Sequence, residues 1–352
     1  RTNMTDYFST KNVRSELQSR SIKGGAITIF AQGARLGLQL LTVVLLARIL
    51  VPADFGLFAM ALAVSGIIGL LSTVGLSLYT THKEHSTPQE SSNVFWMGLV
   101  LSGIAMAISV AVAPFASIFY GEPAITPLII ALSTSFVAQS LYSQHQALLT
   151  RQMMFKHIAI INLSGLVLGV LVSCTAGLLG WKYWALVLLQ IVPLVFNVIL
   201  MWIVVKWRPS RFRKQKDFRM SIEFGKNLTG FTIVNYFGRN ADNVLLGWWY
   251  GSADLGPYAI AYKLLLAPIQ LLSVPINQMA VPVLSRLTKE PEEYRLYYAN
   301  ILSATCLFSF PIAILSFLMS KEIIFVFLGD QWGEASEIFS YLALVVYAAV
   351  TH

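Results

Sequence analysis

Residues 93–120, NVFWMGLVLSGIAMAISVAVAPFASIFY, run for 28 positions without one charged side chain. A helix rising about 1.5 Å per residue over that length is longer than the roughly 30 Å hydrocarbon core of a bilayer. The run is continuously apolar rather than a ten-residue alternation, so it reads as a spanning helix and not as a barrel strand. Nine similar runs flank it, and together they place ten candidate helices at 24–50, 55–80, 93–120, 124–149, 158–180, 183–205, 225–249, 255–285, 296–319 and 335–352. The composition agrees. Of 352 residues, 56% are hydrophobic and 12% charged, and mean hydropathy is +0.66. Soluble domains carry about 25% charged residues, so this chain has too few solvated side chains to cover a soluble globule. An ordinary cytosolic enzyme, a disulfide-stapled secreted domain and a disordered scaffold are excluded.

The net charge of +8 does not indicate a nucleic-acid partner, because the basic residues cluster in short connectors. The N-terminal segment and the even-numbered connectors hold 19 Lys and Arg; the odd-numbered ones hold only Arg48, Lys182 and Lys321. The positive-inside rule then predicts a cytoplasmic N-terminus. The longest basic connector, Lys206 to Lys226, holds eight of the cations and reads first as a topology anchor lying on anionic lipid. Cys174 and Cys306 both lie inside apolar runs, which argues against a disulfide framework. The first apolar run is too long for a signal peptide and contains Arg35. The tenth run meets the chain end in mid-stretch, so the expectation is a piece of a longer protein, cut on its C-terminal side.

Two halves of the sequence echo each other. Ala53-Asp54-Phe55-Gly56 matches Ala253-Asp254-Leu255-Gly256, Phe119-Tyr120-Gly121-Glu122 matches Phe327-Leu328-Gly329-Asp330, and Lys83-Glu84 matches Lys289-Glu290, all at near-constant offset. Six helices separate equivalent positions, an even number, so the repeat is parallel. The expected fold is an all-α polytopic membrane protein with two parallel-repeat lobes of six helices, the second truncated. Its parts are a cytoplasmic segment 1–23, an N-lobe 24–205, a basic connector 206–224 and a partial C-lobe 225–352. Gly33/Gly37 and Gly165/Gly169 are expected to form small-residue packing ridges.

Enzyme motifs are missing: there is no GxxxxGK[ST], HExxH or GxSxG, and no catalytic residue, metal site or cofactor is expected. His82 and His85 read as a solvated pair. Charge at membrane depth is the informative feature, because an ion in a spanning helix costs at least about 2.5–3.5 kcal/mol on insertion scales and needs a partner or a wet cavity. Thr28, Gln32, Arg35 and Gln39 share one face of helix 1; Asn235, Arg239, Asp242 and Asn243 share one of helix 7; Lys263, Gln270 and Asn277 repeat every seven residues in helix 8. These stripes are expected to line one hydrated space. Arg239 and Asp242 stand three apart, so either they neutralise each other or they bind ligand and ion. Asp242 is the candidate ion-coupling carboxylate. Pro268, Pro275 and Pro282 make helix 8 a candidate bending element, with static curvature as the alternative. Arg48 and Asp54 read as structural caps.

The run LLARILVPADFGLFAMA (45–61) resembles the opening signature of polysaccharide exporters in the multidrug/oligosaccharidyl-lipid/polysaccharide superfamily. YFGRNADNVLLGWWYGSADLGPYAIAYKL (236–264), continuing through PVLSRL (282–287), is similar to the colanic-acid-exporter-like branch. The resemblance implies a flippase of the bacterial inner membrane that moves an undecaprenyl-pyrophosphate-linked oligosaccharide outward. Its partners would be that lipid-linked substrate, membrane lipids, H+ or Na+, and the polysaccharide assembly machinery. Arg239, Asp242 and Lys263 fall on the matching signature, and Arg35 lies just upstream of the first one. Gln39, Gln270 and Asn277 would complete the substrate contacts. Two other readings stay open: an ion-coupled drug or small-molecule antiporter of the same superfamily, and a membrane glycan polymerase or ligase.

Overall fold

The computed structural model describes residues 17–72, 87–213 and 218–349. The N-terminal basic residues up to Arg14, the His82–His85 pair with Lys83 and Glu84, Lys214 and Lys216 lie outside the described residues. So does the second apolar run beyond residue 72.

The described elements are helical, with no strand among them. They are α1 (Leu17–Ile49), α2 (Pro52–Gly69), α3 (Pro88–Tyr120), α4 (Ile125–Arg151), α5 (Phe155–Leu178) and α6 (Trp184–Val204). One helical stretch, Phe218–Arg286, follows and breaks at Gly251, dividing it into α7 (218–250) and α8 (252–286). Then come α9 (Pro291–Leu318), α10 (Ser320–Leu328) and α11 (Gly333–Ala349). Among the described residues, seven helices are long and apolar enough to cross a membrane by length and composition. Their outward residues are apolar too: Phe115, Ile118, Leu171 and Leu307 are all more than half exposed. Such a surface suits acyl chains, and the protein is a multi-pass membrane protein.

Local chemistry sets the helix ends. Thr87 and Glu90 form a reciprocal capping box at the start of α3, each side chain meeting the other's backbone N–H at 3.2 Å, with Pro88 at the first helical position. Gly251 has φ 84° and ψ −175°, a region essentially confined to glycine, so the chain breaks there. The helix continues unbroken through Pro268, Pro275 and Pro282, whose expected interruptions are not the site of the break. The side chains of Pro275 and Pro282 lie outside the described residues. Gly121 and Gly329, equivalent in the repeat, both take positive φ, at 68° and 98°. Before Gly329 the helical stretch is broken at Met319, which sets off α10, a nine-residue helix that the sequence pattern did not separate.

The chain divides into two compact units, Arg1–Leu38 with Leu57–Ser252, and Gln39–Gly56 with Ala253–His352. In the first, Phe95, Tyr142, Leu149, Ile161, Met201 and Trp207 form a core shared by α3 to α6. Gly165 and Gly169 form the expected ridge: a Cβ at Gly165 would lie 3.0 Å from the Pro193 carbonyl, and one at Gly169 2.8 Å from Pro193 Cδ. Gly33 and Gly37 do not. No described atom lies within 4 Å of where their Cβ atoms would be, so the expected ridge on α1 is not a packing surface here. Asn162 accepts from Tyr142 Oη at 2.8 Å and from Asn197 Nδ2 at 3.3 Å, tying α4, α5 and α6.

In the second unit, Val43 and Ala47 of α1 pack with Ile260, Leu265, Ile324, Trp332 and Phe339. The two repeat motifs meet there backbone to backbone. A Cβ on Gly256 would strike the Pro52 carbonyl oxygen and lie 2.6 Å from Pro52 C and 3.3 Å from Gly56 N. α10 and the turn after Gly329 lock onto the end of α1: Trp332 Nε1 donates to Ala47 O at 2.8 Å and Arg48 Nη2 to Val326 O at 2.6 Å. Asp54, 5% exposed, accepts from Val51 N at 3.4 Å. Arg48 and Asp54 are thus structural caps, as expected.

Candidate functional site

On α1, Thr28, Gln32 and Arg35 are exposed and Gln39 is half-buried. Arg35 belongs to the first unit and Gln39 to the second. On α7, Asn235 and Arg239 are exposed, while Asp242 and Asn243 are half-buried. Tyr236 sets the rotation of this helix: its hydroxyl reaches Leu62 O at 3.1 Å and Ala63 O at 3.2 Å on α2. Arg239, three residues along, is about 300° round the helix from Tyr236, on the adjoining outward side. Asp242 Oδ1 accepts from Asn243 N at 2.8 Å. Asp242 also has interactions beyond that bond, whereas Arg239 has no ion-pair partner among the described residues.

Lys263 is placed by the apolar face of α8. Ala261 and Leu265 are fully buried in the second unit's core. Two residues on from Ala261 an α-helix has turned by about 200°, which puts Lys263 on the outward face, exposed. Gln270 and Asn277 follow on this helix; their side chains lie outside the described residues. Arg35 and Lys263, like Arg239, lack an ion-pair partner among the described residues. Each is a basic side chain on a helix of a membrane protein, a placement that calls for water or an anion beside it.

Sequence reading missed a second constellation, at the junction of α3, α4 and α6. His145 is fully buried, 4.6 Å centroid to centroid from Trp202, 5.3 Å from Trp207 and 6.5 Å from Phe95. Above this aromatic box the basic connector is bound in place. Ser210 N donates to Ser92 Oγ at 3.0 Å, Trp96 Nε1 to Ser210 O at 2.8 Å and Gln89 Nε2 to Arg211 O at 2.9 Å. Asn93 brackets Arg213, donating to its carbonyl at 2.6 Å and accepting from its N–H at 3.0 Å. The polar run Ser91-Ser92-Asn93 at the head of an apolar helix was the available signal. In the second unit, an open cleft of about 630 Å³ is lined by Arg48, Phe325, Val326, Asp330 and Gln331. Among the described residues no group of His, Cys, Asp and Glu is arranged to hold a metal.

A family described as polysaccharide biosynthesis protein matches residues 45–337. Among curated proteins, the lipopolysaccharide biosynthesis protein WzxC of Escherichia coli is 23% identical over 94% of this chain and 67% of its own length. The teichuronic acid biosynthesis protein TuaB of Bacillus subtilis is 25% identical, over 77% of this chain and 57% of its own. The succinoglycan biosynthesis transport protein ExoT of Rhizobium meliloti is 24% identical, over 90% and 64%. The chain thus spans about two thirds or less of these relatives. Among solved structures it resembles the lipid II flippase MurJ in an inward closed conformation, with TM-score 0.69, 16% identity and coverage of 94% of this chain and 73% of that one. An inward-facing MATE multidrug transporter of the MOP superfamily gives 0.67 at 12% identity, covering 90% and 79%. At such identities the likeness is one of fold.

Proposed function

The chain belongs to the polysaccharide biosynthesis protein family, and on that premise we propose that it is a flippase of the bacterial inner membrane, carrying an undecaprenyl-pyrophosphate-linked oligosaccharide outward for surface polysaccharide assembly. The observation that carries the reading is the set Arg35, Arg239 and Lys263: three exposed cations on helices of a membrane protein, none with an ion-pair partner among the described residues. A pyrophosphate is the anion that must cross hydrocarbon, and cations at membrane depth lower its cost. Arg35 and Arg239 would take phosphate oxygens in bidentate pairs and Lys263 would act as a point charge, with Gln39, Gln270 and Asn277 contacting the sugar. The lipid tail stays in the bilayer and no covalent chemistry is needed. Alternating access moves the head group, with the proline-bearing α8 as the bending element. The N-terminus faces the cytoplasm, and the assembly machinery receives the product.

Asp242 is the proposed coupling group for H+ or Na+. Substrate phosphate at Arg239 and a cation at Asp242, three residues along the same helix, would influence each other, and by linkage each would change the other's affinity equally. The test is export in cells producing full-length protein. Arg35→Ala, Arg239→Ala and Lys263→Ala should each lower surface polysaccharide at normal membrane abundance, and Arg239→Lys should rescue poorly. Unchanged export in all three alanine variants refutes the reading.

A further inference from the structure

We propose that residues 206–213, the described part of the basic connector after α6, are a preformed docking strip for the phosphate head groups of anionic phospholipids on the membrane face where α6 ends. Topology alone requires only a count of cations near a helix end, in any conformation. Over residues 205–213 the conformation is fixed by hydrogen bonds. Val205 and Trp207, at 0 and 2% exposure, turn into the core of the first unit. Ser92 and Asn93, at 1 and 4%, are spent on holding the connector's backbone, with Gln89 and Trp96 completing the clamp. What this register leaves outside is Lys206, Arg211, Phe212 and Arg213, with Phe212 49% exposed.

The charged groups around the strip divide by role. Arg208 is committed to the fold, donating to the Trp202, Val205 and Trp207 carbonyls and lying 5.1 Å above the Trp202 ring. Glu90 is held in the Thr87 capping box, and Arg151 is buried. Lys206, Arg211 and Arg213 remain for an outside anion, two of them guanidinium groups suited to bidentate phosphate contact. The connector leaves an apolar helix at Val204, which puts it in the head-group layer, and an exposed Phe beside cations is the composition of an interfacial anchor. A lipid whose phosphodiester head group carries net negative charge fits both features; a free anion uses only the charge, and a zwitterionic lipid supplies no net charge.

The inference rests on the membrane reading and not on the transported substrate. The experiment uses full-length protein in mixed micelles of a neutral detergent. Phosphatidylglycerol, phosphatidylcholine or inorganic phosphate is titrated in, while the thermal midpoint and the rate of tryptic cleavage after Arg211 and Arg213 are followed. Phosphatidylglycerol should raise the midpoint and slow the cleavage; phosphatidylcholine and phosphate should do neither. A juxtamembrane cation is worth roughly fivefold in affinity for an anionic surface. Arg211→Gln with Arg213→Gln, read by thermal midpoint, should therefore weaken the phosphatidylglycerol response roughly 30-fold, and Lys182→Gln should leave it unchanged. Asn93→Ala and Gln89→Ala keep every cation but release the backbone, and each should weaken the response as well. An equal effect of inorganic phosphate, no loss in the double Arg variant, or full retention in both clamp variants overturns the proposal.

Discussion

Replacing Gly256 by Ala tests whether the two repeat motifs meet as described. The added Cβ would strike the Pro52 carbonyl oxygen and lie 2.6 Å from Pro52 C, with Gly56 N at 3.3 Å behind it. These are backbone atoms, so no side chain can swing aside; α2 and α8 must separate. Separation loosens the packing of Val43, Ala47, Ile260 and Ala261 in the same core. Overpacking of this kind costs typically about 1–3 kcal/mol, and a contact with backbone belongs at the upper end. Against it stands the helix propensity of Ala, better than Gly by about 1 kcal/mol. The net expectation is a loss of about 2 kcal/mol. Gly238, on α7, supplies the control: nothing lies within 4 Å of its Cβ position, so Gly238→Ala should gain about 1 kcal/mol. The two variants should differ by about 3 kcal/mol in reversible SDS unfolding of the purified protein. If Gly256→Ala is as stable as Gly238→Ala, the backbone crossing is not as described.

Three further outcomes are expected. Tyr236→Phe removes the hydroxyl bonded to Leu62 O and Ala63 O and should cost about 1 kcal/mol, read in the same unfolding assay, with normal membrane insertion. Trp332→Phe removes the 2.8 Å bond to the Ala47 carbonyl, which keeps Gln331 Nε2 as a donor, and shrinks a fully buried ring; a loss of about 1–3 kcal/mol is expected, and Arg48→Gln, at an exposed site, should lose less. Asp242→Asn should abolish the response of flipping to an imposed proton or sodium gradient in proteoliposomes; a wild-type response places coupling elsewhere.

The helices were legible because uncharged runs of bilayer length admit little else, and the junction between α7 and α8 was legible because Tyr250-Gly251-Ser252-Ala253-Asp254 interrupts them. α10 was not. Nine residues, SKEIIFVFL, are too few to announce themselves beside a spanning run, and they were absorbed into a connector. Small-residue spacing told half the truth: Gly165 and Gly169 meet Pro193 across the helix pair, while the identical spacing at Gly33 and Gly37 faces nothing described. Spacing states that close approach is permitted, not that a neighbour comes. The candidate cations were legible as residue types at membrane depth; their outward direction came from burial of Ala261 and Leu265 and from Tyr236's grip on α2. The connector clamp was the least legible, since Asn93 and Arg213 are 120 positions apart and the bonds end on backbone groups that carry no residue signature.

Arg35, Arg239 and Lys263, without ion-pair partners among the described residues, are proposed to carry a pyrophosphate-linked glycan across the bilayer. The direct measurement is flipping of such a lipid by full-length protein in proteoliposomes, read as the fraction of head groups becoming accessible on the opposite face. Wild type should flip it, should flip a monophosphate-linked glycan more slowly, and should lose most activity as Arg239→Ala with stability unchanged. Equal flipping of a neutral glycolipid, or wild-type rates with Arg35, Arg239 and Lys263 all replaced by Ala, would contradict a role for these cations in carrying the pyrophosphate.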